Sequence, residues 1–128
     1  MNSLESVVDI SVKNVEKEFE LIVNDLVERL DFLDIQILRK FYTTGKEFPS
    51  DTQPYCFPIL YKEMKEVHKL KIGMEALRKR LDVLVRVGFL EKVSSSNPTN
   101  YIPVKGKEQL IRAVIMKFFL INGLTKFL

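Results

Sequence analysis

One cysteine, Cys56, and one histidine, His68, stand in 128 residues. A disulfide within the chain is therefore excluded, and a structural zinc site, which draws on four such ligands, is not expected. That usage fits a reducing, intracellular setting. Nor does a basic start lead into an apolar run with a small-residue cleavage site, so no signal peptide is expected. The longest apolar block, 114–121, is interrupted by Lys117 and is too short to span a bilayer. A cytoplasmic location without membrane contact follows. A Gly-rich phosphate loop, Cys-x-x-Cys, His-Glu-x-x-His and Gly-x-Ser-x-Gly are all missing. Neither enzymatic activity nor a cofactor nor a metal is expected. His68, in a lysine-rich turn, reads as a surface residue, and Cys56, between Tyr55 and Phe57, as a small core or loop residue. Glu63 and Glu66 are expected to face water.

What is present is an ordinary balance for a folded domain. Hydrophobic residues make up 46% and charged residues 29%, and the length suits one domain with a modest core. The net charge of +3 conceals an asymmetry. Residues 1–30 hold three bases and seven acids, a net −4, while 31–128 carry a net +7. Within 65–80 alone, six bases stand against two acids. A local basic patch beside an acidic arm points to a polyanion partner for one face.

Hydrophobic spacing sets out the elements. Val15, Phe19, Ile22, Leu26 and Leu33 recur at helical intervals, giving a helix over 12–30 with one apolar stripe. Asp31, with Asp34 three positions on, predicts a capping box at the start of a second helix, 32–42. Leu33, Ile37, Leu38 and Phe41 form its buried side. Residues 43–56 contain Gly45, Pro49 and Pro54 and read as a loop with a short strand near 55–57. A third helix follows over 58–67, with Pro58 in its first turn. The fourth, 73–87, has Met74, Leu77, Leu81 and Leu84 as its inner face and ends at Gly88, free to take a positive φ. The runs Phe89–Val93 and Asn100–Val104 then flank six small polar residues and read as a hairpin. A last helix, 107–120, is almost entirely apolar.

The segment 59–104 resembles the winged helix-turn-helix domain. The residues that carry the resemblance are Leu77-x-x-x-Leu81-x-x-Leu84-x-x-x-Gly88-Phe89-Leu90-Glu91-Lys92, which look like a recognition helix and first wing strand. Tyr101-Ile102-Pro103-Val104-Lys105-Gly106 is similar to the second wing strand and closing-helix start of MarR- and PadR-like regulators. The resemblance implies a mainly α fold with a small β-hairpin wing, extra N- and C-terminal helices, and double-stranded DNA as partner.

The helix wheel adds its own argument. At about 100° per residue from Leu77, the outward arc holds Glu75, Ala76, Lys79, Arg80, Val83 and Arg86, with Arg78 on the shoulder. Arginine and lysine donate to guanine O6 and N7, glutamate accepts from cytosine N4, and alanine sits against a thymine methyl. Lys79, Arg80, Glu75 and Ala76 are the expected base-facing residues, Lys69 and Lys71 are expected on phosphate, and Lys92, at the base of the hairpin, is counted with the DNA-binding residues. The hairpin tip, 94–100, carries no Lys or Arg, which weakens its own claim on the DNA.

The terminal segments need a separate account. A helix apolar on all sides has to be buried, and an apolar patch left open marks an interface. The expected organisation is an N-terminal dimerisation helix at 1–30, the winged domain at 31–104 and a C-terminal apolar helix at 105–128. Phe19, Ile22, Leu26, Ile115, Phe118 and Phe119 are the expected homodimer contacts, with two recognition helices about one DNA turn apart. Three other readings are open: the first helix covering the last within one chain, a winged helix acting as a protein-interaction module, and an effector pocket among Phe41, Phe118 and Phe119.

Overall fold

The computed structural model describes the backbone of residues 3–42, 55–66, 69, 71–93 and 98–127, and the side chains of these except 3–13, 55 and 127. The loop expected at 43–54, the hairpin tip at 94–97, His68 and the expected end of the third helix at Val67 lie outside the described residues. Helix α1 (Ser3–Arg29) starts earlier than its apolar pattern indicates. It is separated from α2 (Phe32–Phe41) by the capping box expected from sequence. The Asp34 N–H donates to the Asp31 carboxylate at 3.0 Å, and the Asp31 N–H donates to Asp34 at 3.1 Å. Strand β1 (Tyr55–Cys56), α3 (Phe57–Glu66) and α4 (Met74–Arg86) follow. After them come β2 (Leu90–Val93), β3 (Asn100–Pro103) and α5 (Glu108–Ile121), with a 3-10 turn at Thr125–Phe127. Gly88 takes φ 86°, the left-handed value that lets α4 turn into the sheet.

The hairpin is part of a three-stranded antiparallel sheet. Strand β3 lies in the middle, with Tyr101 opposite Tyr55 on one side and Lys92 on the other. Behind the sheet a single apolar cluster joins every helix. Leu77, Leu81 and Leu84 are fully buried, as their spacing requires, whereas Met74 is about half exposed because the first turn of α4 stands clear of the core.

Two ties fix α2 against its neighbours. Tyr42 is fully buried, and its hydroxyl donates to the Phe89 carbonyl at 2.6 Å and accepts from the Val104 N–H at 2.7 Å. Lys40 pairs with Glu63 at 3.1 Å, joining α2 to α3. Glu63 is thus partly buried in an ion pair rather than turned to water.

The terminal helices depart most from the sequence pattern. On α1 the buried residues are Val23 and Val27, while Val15, Phe19 and Ile22 stay exposed. The buried face lies one residue, about 100°, round from the expected stripe. Helix α1 packs along α5 in the same chain, and α5 packs on α2. Ile115 and Phe119 are therefore core residues, at 0% and 1% exposure, and cannot form a dimer contact. Leu26 and Phe118 are partly buried against the same core. Of the six expected contacts, Phe19 and Ile22 remain on the surface. Phe41 is buried as well, and Phe118 sits edge-on to Phe119 at 6.2 Å. These rings belong to the packed core and not to an effector pocket. Among the described residues, no helix is long and apolar enough to cross a membrane.

Candidate nucleic-acid interface

Helix α4 is seated by three leucines on one side, which leaves the other side to solvent. Glu75, Ala76, Arg78, Lys79, Asp82, Val83 and Arg86 are all exposed. Gly73 occupies the N-cap without a side-chain cap, so the first N–H groups of α4 are not taken by a neighbour's carboxylate or hydroxyl. Ahead of it Lys69 and Lys71 are exposed, and Lys69 has φ 55°, a region that residues with a side chain use sparingly. Among the described residues, Lys69, Lys71, Lys79, Arg86 and Lys92 make no ion pair. These five cations are thus open to an external partner.

Arg80 is not among them. Its Nη1 lies 2.5 Å from the Asp31 carboxylate and 3.2 Å from both oxygens of Asp34. The guanidinium closes over the α2 capping box, drawing the side chain away from the base-facing arc assigned to it from the helix wheel. Burial tends to lower the Arg80 pKa, but the two aspartates outweigh it and raise the value. Burial raises Asp34 against the Asp31 amide and Arg80, which pull the other way. At Asp31 burial is overcome by the Asp34 N–H and by Arg80, and the carboxyl falls below its usual value. Val83 lies on the same flank, lining a pocket of about 390 Å³ with Leu26, Leu30, Arg80 and Val87. It belongs beside α1 rather than at the centre of the exposed arc.

Arg78 occupies the opposite flank. Its guanidinium stacks over the Phe57 ring at 4.4 Å, at the mouth of a polar cleft between α3, α4 and the hairpin. The Phe57 N–H donates to the Thr99 carbonyl at 3.0 Å and ties the first turn of α3 to the sheet. Sequence reasoning had no signal for Phe57, Asp82, Thr99 or Tyr101 at this surface, since only the fold brings them to Arg78 and Lys92.

No family model matches this chain. Neither a curated protein nor a solved structure matches it either.

A second surface lies between α1 and α5. Phe19 and Val23 of α1 and Ala113, Met116 and Leu120 of α5 line an apolar groove of about 420 Å³, edged by Glu20 and Lys117. Ile22, Met116, Leu120 and Ile121 are each 50–63% exposed beside it. That is more continuous apolar surface than scattered single side chains account for.

Proposed function

We propose that this protein binds double-stranded DNA as a homodimeric transcription regulator of the winged helix-turn-helix kind, with α4 in the major groove. The observation that carries the reading is the exposed basic face of α4, held by Leu77, Leu81 and Leu84 next to a three-stranded sheet. The order α2, β1, α3, α4, β2, β3, with β3 central, is compatible with that domain. Lys79 and Arg86 donate to base edges or the adjoining backbone, while Glu75 and Ala76 supply an acceptor and a methyl contact. Lys69 and Lys71 meet phosphate at the entry to the helix.

A selection from random duplexes should return one preferred site. Lys79→Ala should then weaken that site by about 10-fold, with a smaller effect on an unrelated duplex. Equal affinity of the variant and the parent chain for the selected duplex would overturn the reading.

The dimer is supported by the apolar groove and its exposed ridge. Residues 1–30 carry a net −4 and residues 105–128 a net +4, so the α1 region of one copy complements the α5 region of another. Light scattering should give twice the 14.9 kDa chain mass, and Leu120→Glu should return it to one chain. A single-chain mass for the parent protein rules out the dimer. A dimer without salt-dependent duplex binding would favour the other reading, a winged helix serving as a protein-interaction module.

A further inference from the structure

A recognition helix in the major groove leaves the cleft beside it without a role. The cleft has a volume of about 340 Å³ and is walled by Arg78 and Asp82 from α4, Lys92 from β2, Tyr101 from the central strand β3 and Thr99 just before it. Phe57 closes it at the start of α3. Arg78 and Lys92 are both exposed, and among the described residues neither pairs with a carboxylate. The Arg78 guanidinium carbon lies 4.4 Å over the Phe57 ring, a contact that leaves its N–H groups available to an oxygen acceptor. The Tyr101 ring is buried, and burial together with Asp82 keeps its hydroxyl protonated, a neutral donor at the rear of the cleft.

Charge narrows the ligand. Two cations and one carboxylate give the cleft a net +1, which matches the single negative charge of a phosphodiester. A phosphate monoester carries about −1.5 to −2 and would meet Asp82 with an unbalanced charge. The volume falls in the small-ligand range, so a bare ion would leave much of it unfilled. A sugar–phosphate segment uses both cationic walls and the aromatic floor together.

We infer that this cleft receives one phosphodiester of the DNA backbone, gripped between Arg78 and Lys92 and moderated by Asp82. The inference rests on the reading of α4 as the DNA-contacting helix. It moves the hairpin's contribution from its tip, where 94–100 offers no Lys or Arg, to its base at Lys92. It also gives Asp82 a purpose, since a carboxylate at a phosphate site limits affinity that carries no sequence information.

The test titrates the full chain with its selected duplex and with an unrelated one, across about 50–200 mM NaCl. Arg78→Gln and Lys92→Gln should each weaken both duplexes by a similar factor and reduce the salt slope by about one. Asp82→Asn should strengthen both. Lys92→Gln keeps the test independent of any loss of ring stacking in Arg78→Gln. If the slope holds in the cleft variants while Lys79→Ala weakens binding, the cleft assignment falls and the DNA reading stands. If none of the four variants changes binding, the DNA reading falls with it. Inorganic phosphate at millimolar concentration probes the other source of the same chemistry. Amide shifts around Arg78 and Lys92 without DNA would overturn the assignment to the backbone; unmoved signals support it.

Discussion

Tyr42→Phe is expected to destabilise the protein by about 2–4 kcal/mol, although it removes a single oxygen atom. The ring stays, so the packing around it is retained. What is lost is the hydroxyl that joins the Phe89 carbonyl to the Val104 N–H. Each is a backbone group at one end of the hairpin, and leaving such a group buried without a partner costs about 1–3 kcal/mol. Val104 is only partly buried, so water recovers some of that cost. The remainder is a large share of the roughly 5–15 kcal/mol that holds a domain of this kind together. Urea unfolding should show a lower midpoint with an unchanged slope. An unchanged midpoint would mean that the hairpin is held by the sheet alone.

The same residue gives the protein an alkaline limit. Burial raises the Tyr42 pKa, with Glu108 and Glu91 adding to it against the Val104 N–H, and burial with Asp82 raises Tyr101. A phenol whose folded pKa lies above its unfolded value contributes stability that is complete below pH 10 or so and is lost as pH rises towards the folded value. Stability should therefore fall above about pH 10, by up to ~1.4 kcal/mol per pH unit for each tyrosine. In Tyr42→Phe the fall should be shallower, because one of the two tyrosines no longer contributes.

Arg80→Ala is expected to cost about 1–3 kcal/mol of stability and to leave the salt slope of the proposed DNA binding unaltered. The pair is partly exposed, with 39% of the Arg80 side chain open, so the value is below that of a buried ion pair. Removing the guanidinium strands Asp34, whose side chain is 10% exposed, beside a second carboxylate. The pH dependence separates this role from a base contact. Asp34 is raised in the fold, so its contribution is present below about pH 3.8 and lost as pH rises through the folded value. Asp31 is lowered and behaves oppositely, losing its contribution as pH falls through its folded value. The two act in opposite directions in the parent protein. Without Arg80 both carboxyls rise, and the variant should be less destabilised near pH 4.5 than at pH 7. A reduced salt slope with unchanged stability would return Arg80 to the DNA.

Local chemistry accounts for much of what could be expected in advance. The Asp31–Asp34 capping box involves groups three residues apart, so its residues carry the whole signal. Gly88 and the Leu77, Leu81, Leu84 spacing are equally local, and both appear where the pattern puts them. Helix α1 shows the limit. Val15, Phe19, Ile22 and Leu26 form a good stripe, yet Val23 and Val27 are buried, because two adjacent apolar stripes differ by about 100° and only the partner helix chooses between them. Residues Ile115 and Phe119 show the same dependence: a helix apolar all round gives no indication of which side meets its own chain.

Composition and local spacing suffice to exclude a disulfide within the chain, to order the elements around the helix at 73–87 and to concentrate basic residues there. Those properties reside in composition and in neighbours a few positions apart. The packing of helices and strands sets what surrounds each cation. Arg80 and Asp34 are 46 residues apart in the chain, and Arg78 meets Phe57 and Lys92 only because α3, α4 and β2 converge. A charge acts through distance and solvent exposure, and both are set by folding rather than by sequence spacing. One basic tripeptide is thereby divided among three settings: Arg78 at the cleft, Lys79 on the open face and Arg80 closed over the start of α2.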